Sequence, residues 1–156
     1  MGLRVKARMR ELSRVIPEAT GQVCNWLMER GIQLEGPSIV RYHTIDMDNF
    51  LDIEMGVLVN EPVAVAPGEC VSAGVLPAGR YAALVYTGVK NGVAGNRNLL
   101  EWGASQGLAW DRWDDPNGDA FGARYETLLT DPIEEPDKSK WKTDLAIRLA
   151  DGSPGG

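Results

Sequence analysis

The chain has little of what most enzyme chemistry starts from. Its 156 residues include two cysteines, Cys24 and Cys70, and one histidine, His43. There is no CxxC and no Cys/His cluster, which excludes a structural zinc site of the usual kind. Cys24 falls on the apolar stripe of a helical pattern, where a buried thiol is common. A Ser-His-Asp or Cys-His site would have to use His43. That residue lies in a strand pattern with no nucleophile motif beside it, and reads as structural. No cofactor motif is visible. Aromatic residues make up only 7% of the chain. No apolar run approaches the roughly 20 residues of a membrane span. The basic start, MGLRVKARMRELS, lacks the apolar segment of a secretory signal. Gly2 does not suit myristoylation, because position 6 is lysine. These absences point to a cytoplasmic protein without a membrane segment. Positive charge is also scarce: the formal net charge is −6. Direct nucleic-acid binding normally needs a basic face. The one dense basic run, Arg4, Lys6, Arg8 and Arg10, alternates with Leu3, Val5, Ala7 and Met9, and reads as the wet side of a strand.

What is there has a β and α order that repeats. Residues 3–10 alternate as a strand. The segment SRVIPEATGQVCNWLMERG has one helical apolar face, with Pro17 suited to its first turn and Gly31 to its end. Strands follow over 37–45 and 51–59. The stretch 60–69, NEPVAVAPGE, is a connector. Then CVSAGVLPAGRYAALVY reads as two strands about Pro77-Ala78-Gly79. NRNLLEWGASQG is a helix ended by Gly107, with Trp102 on its apolar stripe beside Leu99, a core residue under the sheet. Strands follow over 119–130 and 141–149. Residues 151–156, DGSPGG, read as a flexible tail to a single domain over 1–150. Each half runs strand, helix ending in glycine, two strands. The expected fold is α+β: a tandem βαββ repeat forming an antiparallel sheet, with two helices on one face and a ligand groove on the other.

Within FGARYETLLTDP, residues 121–132, Glu126 sits mid-strand between Tyr125 and Thr127. A solvated carboxylate is the default for a strand glutamate.

The segments GPSIVRY, NEPV, LPAGRYAALVYTG, LLEW, ARYETLLTDP and WKTDLAIRL, in that order, resemble the GyrI-like small-molecule-binding domain. This is the effector-binding module of AraC-type and MerR-type multidrug regulators, which also occurs alone in gyrase-inhibitory proteins. The resemblance covers about residues 3–149. It implies a ligand groove between the two halves, against the sheet. It implies that Glu126, the glutamate of the YE strand, meets the cationic part of a ligand, and it turns the reading of Glu126 toward a site. Tyr42 matches the tyrosine of the GP…Y strand, and Trp102 the tryptophan of the second helix. Three features depart from the pattern. Tyr86 in YTG stands where many members have His. Thr143-Asp144 stands for Thr-Glu. The insertion GLAWDRWDDPNGDA adds Trp110 and Trp113.

Tyr42 is either a groove wall or a packed sheet residue, and so is Tyr86. Trp110 and Trp113 form a lid over a flat ligand or pack locally. Glu54 alternates with Ile53 and Met55, so its approach to the groove depends on which face the helices cover. The leading expectation is a binding module without its own DNA-reading helices, for small aromatic, apolar or cationic organic molecules. Its role would be sequestration or effector sensing, and the resemblance admits a regulator or gyrase as protein partner. The alternatives that the resemblance admits are an interaction protein of the gyrase-inhibitor type and a hydrolase of cyclopropane-containing DNA alkylators. In the hydrolase Glu126 would be the catalytic group activating water, with Tyr42 or Tyr86 donating to the leaving oxygen.

Overall fold

The computed structural model describes residues 1–34, 36–61 and 63–151. The first strand, β1 (Gly2–Ala7), enters a short 3₁₀ turn over Met9–Glu11 and then helix α1 (Leu12–Glu29). The turn is held at its start by Glu11, which accepts the Arg8 N–H at 2.8 Å. Val15, Ala19, Val23, Trp26 and Leu27 recur at helical spacing and are buried. The helix begins earlier than the sequence suggests, so Pro17 lies inside it rather than in its first turn. It ends in the hydrogen-bonded stop that glycine permits. Gly31 takes φ 69°, and Ile32 N–H reaches back to the Leu27 carbonyl at 3.0 Å.

Strands β2 (Ser38–Ile45) and β3 (Leu51–Val57) complete the first unit. The second repeats the order. It has β4 (Tyr81–Thr87), a 3₁₀ turn, α2 (Gly92–Ser105), and then β7 (Arg124–Leu128) and β8 (Lys142–Arg148). Helix α2 stops as α1 does: Gly107 has φ 69°, and Leu108 N–H bonds the Gly103 carbonyl at 2.9 Å. Between α2 and β7 lie two short strands, β5 (Arg112–Asp115) and β6 (Gly118–Phe121), which form a hairpin.

The sheet runs β1-β3-β2-β7-β8-β4, every pair antiparallel, with β6 continuing beside the end of β2. The mostly antiparallel sheet with two helices is the α+β architecture that the repeat implies. Helix α1 packs on β1 and β3, and α2 packs on β4. The two central strands, β2 and β7, therefore lie below the gap between the helices. No helix of the described residues is long and apolar enough to cross a membrane.

Three local expectations fail for physical reasons, and one feature is unexpected. The strand expected over 119–130 is interrupted at Gly122-Ala123, where the chain leaves β6 for β7. Residues 70–76 form no strand; Ser72 makes only a two-bond bridge to Gly2 at the sheet edge. The insertion is not expected to be regular, yet β5 and β6 pair across the Pro116-Asn117 turn. Trp102 is not core: it is 48% exposed, and Gly95, Leu99 and Gly103 form the buried stripe of α2. The tail expected over 151–156 falls, from 152 onward, outside the described residues, as does Pro62 of the connector.

Candidate functional site

Strand pairing sets Glu126 in a transverse row of residues on one face. Leu3, Met55, Val40, Glu126, Leu145 and Leu84 are successive partners across six strands. Directly paired residues share a face. Five of the six are apolar, and Leu3, Met55 and Val40 belong to the core under α1. Glu126 is 8% exposed. It faces the helices: the Asn96 amide of α2 stands 3.4 Å from its Oε1. The carboxylate therefore lies on the helix side of the sheet, below the gap between the helices, not on the helix-free face.

Two phenols meet this carboxylate. Tyr86 donates its hydroxyl to Oε2 at 3.0 Å, and the Tyr42 hydroxyl lies near the same carboxylate. Tyr42 follows Val40 by two positions on β2, so it shares the face. Burial raises the Glu126 carboxyl above its ordinary range, against the donors Tyr86, Asn96 and Tyr42 and the nearby Arg124 charge. Burial likewise raises the Tyr42 and Tyr86 phenols, and the Glu126 charge raises both further. Both remain donors at neutral pH.

The local sequence makes room for this cluster. A Cβ at Gly95 of α2 would stand 2.9 Å from the Tyr86 ring, and one at Gly92 would stand 3.3 Å from its hydroxyl. Arg124 joins from β7. It is 7% exposed, donates Nη2–H to Asn96 Oδ1 at 2.7 Å, and lies over the Phe121 ring. Sequence reasoning missed Arg124 and Asn96. A usable signal was the parity of Arg124 with Glu126 on one strand.

The remaining candidates lie elsewhere. Glu54 pairs in register with Arg4 and Arg41 on the helix-free face, and His43 Nε2 is 2.8 Å from its Oε1. Trp110 packs into the second core against Gly103, where any Cβ would collide with its ring. Trp113 is half exposed on β5 opposite Ala120, near the Thr44-Ile45 end of β2. Among the described residues no group of three or more His, Cys, Asp or Glu could hold a metal ion.

Residues 1–150 match the family described as the GyrI-like small molecule binding domain. No curated protein matches the chain. Among solved structures, an uncharacterized conserved protein from Listeria innocua superposes with a TM-score of 0.56 at 13% identity, over 96% of this chain and 87% of its own. A hydrolase from Listeria innocua superposes with a TM-score of 0.50 at 14% identity, over 96% and 86%. At these identities the likeness is one of fold.

Proposed function

The chain belongs to the GyrI-like small-molecule-binding family, and on that premise we propose that it binds a small, flat organic molecule between α1 and α2, over Glu126. One observation carries the reading. Glu126 is a buried carboxylate in a row of apolar residues, on a central strand between β3, which α1 packs on, and β4, which α2 packs on. Burying it costs free energy that the fold could avoid with a leucine. Retaining it makes sense if a ligand uses it. An apolar floor with a few convergent polar groups suits an aromatic or apolar ligand oriented by one hydrogen bond or one charge. The role that fits such a site is sequestration of a drug or toxin, or sensing of an effector.

The test is a panel of flat organic compounds, neutral and cationic, read by calorimetry and thermal shift. Hits should weaken at least ten-fold in Glu126→Gln. A panel that leaves the melting temperature unchanged sinks the reading.

A second reading has its own support. A carboxyl raised by burial and accepting a phenol hydroxyl is suited to moving a proton. Under it the bound compound is hydrolysed, with Glu126 activating water and Tyr86 or Tyr42 donating to the departing oxygen. A neighbour in fold is named a hydrolase. Chromatography of each hit after incubation separates the two. A compound consumed by the wild type and spared by Glu126→Gln supports hydrolysis, whereas recovery of every ligand intact leaves binding.

A further inference from the structure

Arg124 is the buried group that the reading above leaves unused. It precedes Glu126 by two positions on β7, so both side chains leave the same face of the sheet. Its Nη2 is engaged by Asn96 Oδ1 at 2.7 Å, while its Nε is buried with no hydrogen-bond partner. Asn96 turns its oxygen to Arg124 and its nitrogen toward Glu126 Oε1. One amide thus links a buried cation to a buried anion. A buried N–H of a charged group is seldom left without an acceptor. On α1, Thr20 also has a buried hydroxyl with no partner. Thr20 stands eleven residues before Gly31, as Asn96 stands eleven before Gly107, so the two occupy matching places on their helices.

We propose that Arg124 sets the charge class of the ligand: the site takes an uncharged flat molecule bearing a hydrogen-bond acceptor such as a carbonyl, and rejects organic cations. The inference rests on the reading that the ligand lies over Glu126. An acceptor placed against Arg124 satisfies the idle Nε, and a donor on the same molecule can meet Glu126. A cation brought to Glu126 must give up its hydration beside the guanidinium. The repulsion cancels much of the attraction, and the loss of hydration is not repaid.

Two tricyclic probes of one outline test this: acridone, neutral with a carbonyl and an N–H, and 9-aminoacridine, a cation at pH 7. Each is titrated by its own fluorescence into the wild type, Arg124→Gln, Arg124→Lys and Glu126→Gln. The expected result is at least ten-fold tighter binding of acridone by the wild type. Arg124→Gln should invert that order, and Arg124→Lys should keep it. Equal or tighter binding of 9-aminoacridine by the wild type overturns the inference, as does an unchanged ratio in Arg124→Gln. Should Arg124→Gln fail to fold, the wild-type ratio and Arg124→Lys decide. If Glu126→Gln leaves a wild-type preference for acridone intact in both affinity and ratio, the location over Glu126 fails along with what rests on it. If the cation binds and Glu126→Gln abolishes it, the site reading stands and only the role of Arg124 falls.

Discussion

The two halves of the chain use the same order of elements and each has an apolar core, yet the second holds a buried polar cluster beside its core. Counting back from the glycines that end the helices makes the comparison residue by residue. Five positions before Gly31 stands Trp26; five before Gly107 stands Trp102. Trp26 is 7% exposed, donates its indole N–H to Glu69 at 3.1 Å, and carries the Arg30 guanidinium on its face. Trp102 is half exposed. Four positions before, Leu27 is fully buried, while the matching Gly103 yields its space to Trp110 from the insertion. Twelve before, Ala19 matches Gly95, whose missing methyl admits the Tyr86 ring. The first half invests these positions in apolar packing. The second has Gly92, Gly95 and Gly103 in its helix, and Tyr86, Asn96 and Arg124 assemble around Glu126. On the proposed reading the site lies in the copy whose helix is barer, and weaker local packing is the expected cost of such a site.

The widest gap between the halves should appear at the paired tryptophans. Trp26→Ala removes a buried ring and should cost about 3–5 kcal/mol. At about 2–4 °C per kcal/mol for a chain of this size, the melting temperature should fall by on the order of 10 °C. Trp102→Ala should change stability by less than about 1 kcal/mol. Urea melts of both variants check this. Comparable losses would mean that the exposure of Trp102 does not describe the protein in solution.

Gly103 gives the next largest effect. Gly103→Ala forces the Trp110 ring or the helix to move and should destabilise by about 1–3 kcal/mol. Gly21 of α1 has open space around it, so Gly21→Ala should be neutral or stabilising by up to about 1 kcal/mol, since alanine is the better helix former. Thermal melts that put both substitutions on the same side of zero would break the contrast between a helix free on that side and one that must be bare.

The sequence carried the elements and their order, because alternation and glycine-ended helices are local signals. It carried less of the site. Trp102 shares helical spacing with Leu99, but the stripe that is buried runs through Gly95 and Gly103, and glycine leaves no mark in a hydrophobic pattern. The face on which Glu126 lies is a tertiary fact: alternation separates two faces and cannot say which one the helices cover. Glu54 shows the same limit, since its alternation is as regular as that of Glu126 and it ends on the opposite side. Arg124 escaped notice because a strand arginine is ordinarily a solvated one. The β5–β6 hairpin was hidden by its acidic composition.

Those two glutamates sharpen the comparison at the finest grain, because their environments shift them in opposite directions. Burial raises the folded-state pKa of Glu126 above its ordinary 4.5. The native state then holds a proton that the unfolded state has already released. Stability from this group is complete below about pH 4.5 and is lost as pH rises through the folded value. The Glu54 carboxyl is lowered, first by its hydrogen bond with His43 and against burial. Its contribution is present above the ordinary value and is lost as pH falls through the folded one. Glu126→Gln should therefore be more stable than the wild type at pH 7, by about 0.5–2 kcal/mol, with the advantage shrinking toward pH 4. Glu54→Gln should be less stable at pH 7, by about 1 kcal/mol, with the deficit shrinking as the pH is lowered. Chemical denaturation of the three proteins between about pH 3 and pH 8 reads both slopes at once. Parallel slopes would mean that the two carboxylates share one kind of environment. Opposite slopes, together with loss of ligand binding in Glu126→Gln alone, would separate a glutamate that serves the fold from one that the fold pays to keep.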